Sequence, residues 1–139
     1  MVREATLSDT RFEVSTLEID RPGPSYAVDT VRSVREELPG AELFLIIGAD
    51  QFRDFRAWRD PEEILRHVRL AVMDREGESA RAMTHTISGG HEIVFVPVRR
   101  FDVSSTFVRA AIRHGQDLGV WVLPGVAAII ERERLYSAP

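Results

Sequence analysis

The chain has 139 residues, 44% of them hydrophobic and 29% charged, which is enough for one globular domain with a real core. The net charge of −4 argues against a general nucleic-acid binder, and the absence of cysteine excludes disulfides, thiol catalysis and cysteine-based metal sites. All 18 basic residues are arginine, so any phosphate contact must come from arginine, backbone or hydroxyl groups. No apolar run approaches the ~20 residues of a membrane span, and the opening MVREATLSD is no secretory signal. A cytoplasmic protein is expected, without nucleic-acid or membrane partners.

In chain order, RFEVSTLEID (Arg11 to Asp20) alternates and is rich in β-branched residues, which predicts a strand. Arg21-Pro22-Gly23-Pro24 breaks it. Ser25 or Asp29 can cap the next helix, which runs to about Leu38 with Val28, Val31, Val34 and Leu38 on one face. ELFLIIG (Glu42 to Gly48) is a continuous apolar run, the pattern of a strand buried on both faces of a parallel sheet. A short helix is expected from Asp50 to Phe55, and another from Pro61 to about His67 after Asp60. RLAVMD (Arg69 to Asp74) predicts a second buried strand, and HEIVFVPV a third. Residues 75–90 between them are polar, without period, and read as a variable loop. STFVRAAIRHG predicts a helix ended by Gly115, and a last helix starts at Pro124 and runs to about Leu135. Strands alternating with helices mean an α/β domain with a mostly parallel sheet.

Two places just past strand ends carry chemistry. Ser104, Ser105 and Thr106 open a helix, with Arg109 one turn in. Free backbone N–H groups and the positive end of the helix dipole suit a phosphate there, and Arg109 adds a charge-assisted contact. The plain alternative is an ordinary N-cap with Val103 and Phe107 as a hydrophobic staple. Gly48-Ala49-Asp50 follows the first apolar run: the glycine allows a tight turn or close approach of a ligand, and Asp50 can accept ribose hydroxyls or simply cap the short helix. Trp58, on the polar loop RAWRDP after Phe52 and Phe55, reads either as core or as a flat face for a planar ring. His67, His85, His91 and His114 show no metal-ligand spacing and read as surface histidines.

PGPSYAVDT, LFLIIGADQFRDFRAWRDPEEIL, RLAVMDREG, DVSSTFVRAAIRHG and VLPGVAAIIERERLY occur in this order from about Arg11 to Tyr136. Together they resemble the carboxyl-terminal part of bacterial nicotinate-nucleotide adenylyltransferases. The resemblance implies a Rossmann-like nucleotidyltransferase fold, with ATP and nicotinate mononucleotide as partners, nicotinate adenine dinucleotide and pyrophosphate as products, and Mg²⁺ carried by ATP or pyrophosphate. It implies that Ser104, Ser105, Thr106 and Arg109 hold the ATP phosphates, that Asp50 and Gly48 meet the ribose, and that Trp58, Tyr26 and Thr30 form the nicotinate site. Ala27 departs from the threonine usual in that segment, and Arg75-Glu76-Gly77 departs from the usual R-P-G turn. The family's H-x-G-H motif occurs nowhere in the sequence, so no catalytic residue is assigned. Residues 1–139 are accordingly read as a single partial domain whose amino-terminal strand-helix unit is missing, with 102–136 as its carboxyl-terminal helical part. Such a chain is expected to aggregate and to turn over ATP near background. Its oligomeric state is left open, homo-oligomers included. The rivals are another adenylyltransferase of the superfamily and a non-catalytic nucleotide-binding remnant.

Overall fold

A computed structural model of the chain describes residues 1–74, 90–99 and 103–136. The variable loop, with Glu76 and His85, lies outside the described residues except at Gly90, as does Asp102. The elements are α1 (Val2–Thr6), α2 (Leu17–Asp20), α3 (Ala27–Glu37), β1 (Phe44–Gly48), α4 (Ala49–Asp54) with a 3-10 turn (Phe55–Ala57), α5 (Pro61–His67), β2 (Arg69–Asp74), β3 (Ile93–Pro97), α6 (Ser105–Arg113) and α7 (Pro124–Arg132). The chain divides into two compact units, one of residues 17–100 and one of residues 1–16 with 101–139.

The unit of residues 17–100 is built on three parallel strands in the order β1-β2-β3, as the alternation of strands and helices predicts. In a parallel pair the registered residues share a face. Leu45 pairs with Leu70, Ile47 with Val72, Leu70 with Ile93 and Val72 with Phe95, giving one apolar face. Against it pack Val28 and Val31 of α3, Phe52 of α4, Phe55, and Ile64 and Leu65 of α5, closing a core with Val68. Phe52 meets Phe95 edge to face at 5.9 Å. α5 starts as its sequence dictates, with Pro61 in the first turn and Glu62 and Glu63 at the positive end of the dipole.

Three expectations fail here. Residues 11–16 form no strand, and Leu17–Asp20 is a helical turn. Alternation gives a strand only where a neighbour completes the ladder, and among the described residues the three sheet strands pair only with one another. The helix α3 is capped by neither Ser25 nor Asp29: its N-cap is Tyr26, with no side-chain cap bond. The Ser25 hydroxyl accepts from Arg21 instead, at 2.6 Å. Finally, β1 is not buried on both faces, because Phe44 and Ile46 are exposed while Ile47 is buried. β2, between two strands, matches its prediction closely, with Leu70, Ala71, Val72 and Asp74 buried.

In the unit of residues 1–16 and 101–139, Ala111, Leu118 and Ile130 form a smaller core with Val108, Ile112, Trp121, Val122, Val126, Ala127 and Leu135 around it. α1 packs against α7. Gly115 ends α6 as predicted, at φ +66°. Its N–H donates to Ile112 O and that of Gln116 to Ala111 O, both at 3.0 Å, which is a Schellman close.

Candidate functional site

α6 forms because its apolar residues face the small core while Ser104 stops the chain from extending it backwards. Ser104 is extended (φ −121°, ψ 156°), and its Oγ accepts the Phe107 N–H at 3.1 Å. The ordinary cap is therefore real, and it engages the Ser104 hydroxyl. It satisfies one of the first-turn donors of the helix; such donors have no partner within a helix. Ser105 and Thr106 are exposed on that first turn. The half-buried Arg109 lies back along the helix, its Nη2 donating to Thr106 Oγ1 at 3.3 Å. Phe107 stands edge-on to Trp121, ring centroids 4.9 Å apart. The result is a helix start carrying two exposed hydroxyls and a guanidinium, an arrangement that can hold an anion of several oxygens.

The remaining predicted residues belong to the unit of residues 17–100. Gly48 is the last residue of β1 and the N-cap of α4, at φ −76°. No left-handed turn requires glycine here, so the tight-turn reading falls. A Cβ at Gly48 would meet nothing, and the space beside the backbone is open. Asp50 is in the first turn of α4 and makes no cap. Its side chain, 90% exposed, pairs with Arg53 at 2.8 Å.

Trp58 is half-buried. It packs on the core margin, its ring tilted against Phe55 at 5.3 Å. It is thus partly core and partly exposed. Tyr26 is brought to the same loop from a distance in sequence: the Arg59 guanidinium lies over its ring, 4.5 Å from the centroid. Thr30 has its hydroxyl engaged. It donates to Glu18 Oε1 at 2.6 Å and accepts from Arg21 Nη1 at 3.3 Å. Arg59, Glu18 and Arg21 are the residues that sequence reasoning missed. Their contacts with Thr30 and Tyr26 span 9 to 33 positions, and no local pattern signals such pairings.

His67 and His114 bind within their own helical turns, and His91 lies near an acid of α5. His67 Nε2 lies 3.2 Å from Glu63 Oε1, His114 Nδ1 2.7 Å from Ala110 O, and His91 Nε2 3.7 Å from Glu62. Glu63 is held below the usual carboxylate range, first by His67 and then by Arg66, with Arg32 adding less. Among the described residues no three histidine or acidic side chains converge to hold a metal ion. Nor is any helix there long and apolar enough to cross a membrane.

The cytidylyltransferase-like family matches residues 1–111. A protein of Thermus thermophilus named as a nicotinate-nucleotide adenylyltransferase is 38% identical over 132 residues, covering 95% of this chain and 68% of its own length. A counterpart in Methylibium petroleiphilum is 36% identical, covering 100% of this chain and 68% of its own length. Among solved structures, the nicotinic acid mononucleotide adenylyltransferase of Plasmodium falciparum complexed with APC superposes with a TM-score of 0.63 at 16% identity. That match covers 83% of this chain and 60% of the other, and it speaks for the fold. With the parallel sheet and the motif order both accounted for, the chain belongs to the cytidylyltransferase-like nucleotidyltransferases, among the nicotinate-nucleotide adenylyltransferases, and has their Rossmann-like fold.

Proposed function

We propose that this chain serves adenylyl transfer from ATP to nicotinate mononucleotide, giving nicotinate adenine dinucleotide and pyrophosphate in NAD biosynthesis in the cytoplasm. We take residues 1–139 as one nucleotidyltransferase domain. The observation that carries the reading is the start of α6, where Ser105 and Thr106 are exposed on the first turn and the half-buried Arg109, one turn on, reaches back to Thr106. Helix starts of this kind hold phosphate through backbone N–H groups and the dipole. In this reading Ser104 shapes the turn through its cap, Ser105 and Thr106 meet phosphate oxygens, and Arg109 swings from Thr106 to the phosphates. Asp50 meets ribose hydroxyls beside the open backbone of Gly48. Trp58 and Tyr26 offer faces to the pyridine, and Thr30 holds the segment in place through Glu18 and Arg21.

The reaction is an in-line displacement. An oxygen of the mononucleotide phosphate attacks the α-phosphorus of ATP, the bond to the β-phosphate oxygen breaks, and pyrophosphate leaves. Such chemistry needs positioning and charge stabilisation more than proton transfer. Mg²⁺, carried by ATP and pyrophosphate, would supply further charge stabilisation on the phosphates.

Calorimetry with ATP and with nicotinate mononucleotide tests the reading. Arg109→Ala is expected to weaken ATP binding about tenfold, the scale of one lost charge-assisted contact, and to spare the mononucleotide. Equal loss for both ligands would remove the assignment of α6 to ATP. Adenylyl transfer above background would favour an enzyme over a nucleotide-binding module, and binding of neither ligand would remove both.

A further inference from the structure

We propose that Asp60 is a positioning residue for the pyridine mononucleotide: its left-handed backbone forms a stiff corner that presets Trp58. This rests on the reading of Trp58 as a face for the pyridine. Asp60 stands at φ 48°, ψ 56°. Among the described residues only Arg134 and Tyr136 share this sign of φ without being glycine, and both follow α7, where a left-handed residue closes a helix. Asp60 closes nothing. It is the N-cap of α5, while the N-caps of α3, α4, α6 and α7 (Tyr26, Gly48, Ser104 and Leu123) are all extended. Leu123 is the internal control, because it too precedes a proline in the first helical turn, and it takes φ −64°, ψ 146°. A helix that opens on proline therefore does not call for the conformation of Asp60, and a residue before proline ordinarily avoids it. Nor does the side chain offset the strain, since it is exposed and makes no cap bond. The strain needs a cause outside the helix start.

The place of the corner supplies that cause. The chain runs from buried Phe55 through the 3-10 turn to Trp58, extended at φ −68°, ψ 161°, and then enters α5, whose Ile64 and Leu65 are buried in the same core. The Trp58 N–H donates to Phe55 O at 3.1 Å and the Glu63 N–H to Asp60 O at 3.0 Å, which fixes the chain on either side of Arg59. Between these ties the corner lets Trp58 pack on Phe55, ring centroids 5.3 Å apart, while Arg59 reaches the Tyr26 ring at 4.5 Å. For a residue with a side chain the left-handed region is a small well with forbidden borders. Asp60 is thus either in the corner or far from it, and Trp58 is held in one place before a ligand arrives. Such preorganisation raises affinity by lowering the ordering cost of binding. Aspartate and asparagine enter that well more readily than other side chains; glycine enters it too, but populates much else besides.

The test is calorimetric titration of the full chain with nicotinate mononucleotide and with ATP, beside urea unfolding. Asp60→Gly removes the strain and widens the corner. It should keep a urea midpoint at or above that of the wild type, lose about fivefold in affinity for the mononucleotide, and leave ATP within about twofold. Asp60→Asn keeps a side chain suited to the left-handed well and drops the charge, so it should bind the mononucleotide within about twofold of wild type. That rescue separates the backbone from the carboxylate. Unchanged mononucleotide affinity in Asp60→Gly, equal loss for both ligands, a lowered midpoint, or an Asp60→Asn chain as weak as Asp60→Gly overturns the role of the corner and leaves the proposed function standing. A wild-type chain that does not bind the mononucleotide overturns the proposed function itself, and this inference with it.

Discussion

Two helix ends in this chain solve one problem with different residues. α6 closes through Gly115 at φ +66°. α7 closes with the same bonding pattern: Arg134 N–H donates to Glu131 O at 3.1 Å and Leu135 N–H to Ile130 O at 2.9 Å. Here the left-handed position is filled by Arg134, at φ 49°. A side chain in that region costs roughly 1–2 kcal/mol, while glycine costs roughly 0.5–1 kcal/mol in unfolded-state entropy. Strain is the larger figure, so Arg134→Gly should stabilise the chain by about 0.5–1 kcal/mol, read as a higher urea midpoint at unchanged slope. Gly115→Ala should do the reverse. The end at Gly115 is legible in the sequence because glycine announces it; the end at Arg134 is not, because nothing marks an arginine as left-handed. Glu63 adds a pH prediction. Its folded carboxyl titrates below the ordinary glutamate value of about 4.3, so the stability it contributes is complete above that value. It is lost as pH falls through the lower folded value. Denaturant midpoints of wild type and Glu63→Gln should therefore differ at neutral pH and converge in acid; a gap that widens in acid would reverse the sign of the linkage.

Among the elements, the loops below the sheet are tied by one arginine. Arg35 leaves α3 and donates through Nη1 to Ala41 O at 2.6 Å and through Nη2 to His67 O. It thereby satisfies a carbonyl at the end of α5 and another in the turn before β1, groups that a helix and a turn leave open. Arg35→Met keeps most of the apolar stem and loses both bonds, and it should cost about 1.5–3 kcal/mol by thermal or denaturant unfolding. Arg35→Lys should recover only part, since an ammonium cannot span both carbonyls as the fork does. None of this was readable in advance, because the carbonyls come from residues distant in sequence. What was readable at this scale followed local rules. Pro61 behind Asp60 starts α5, Ser104 caps α6, and the apolar run of β2 lies buried between two neighbours. The errors fell where a partner decides. Residues 11–16 alternate without a ladder to join, and Tyr26 opens α3 in place of the better cap formers Ser25 and Asp29. The candidate site divides the same way. The start of α6 was legible from its own residues, while the stacking of Arg59 on Tyr26 depends on the packing of α3 beside the loop after the 3-10 turn.

At the scale of the whole molecule, the sheet's second face sets the solution behaviour. The register that turns Leu45, Ile47, Leu70 and Val72 to the core places Phe44, Ile46, Met73 and Val96 on the opposite face. These four are exposed, Ile46 at 64%. Among the described residues β1 is also an edge strand. Parallel sheets are normally covered on both faces, and an apolar edge invites pairing with another chain. The chain as given is therefore expected to associate as its concentration rises. Ile46→Lys places a charge on the exposed side of the edge strand, a device that natural sheets use against such pairing. It should lower light scattering at high concentration and leave the unfolding midpoint nearly unchanged. The neighbouring position supplies the control. Ile47 is 6% exposed and faces the core, so Ile47→Thr buries a hydroxyl and should cost about 1–3 kcal/mol without curing association. If Ile46→Lys and wild type scatter alike while Ile47→Thr unfolds early, the register stands and the edge is not the route of association. If Ile46→Lys is the variant that unfolds, the two faces of β1 have been assigned the wrong way round.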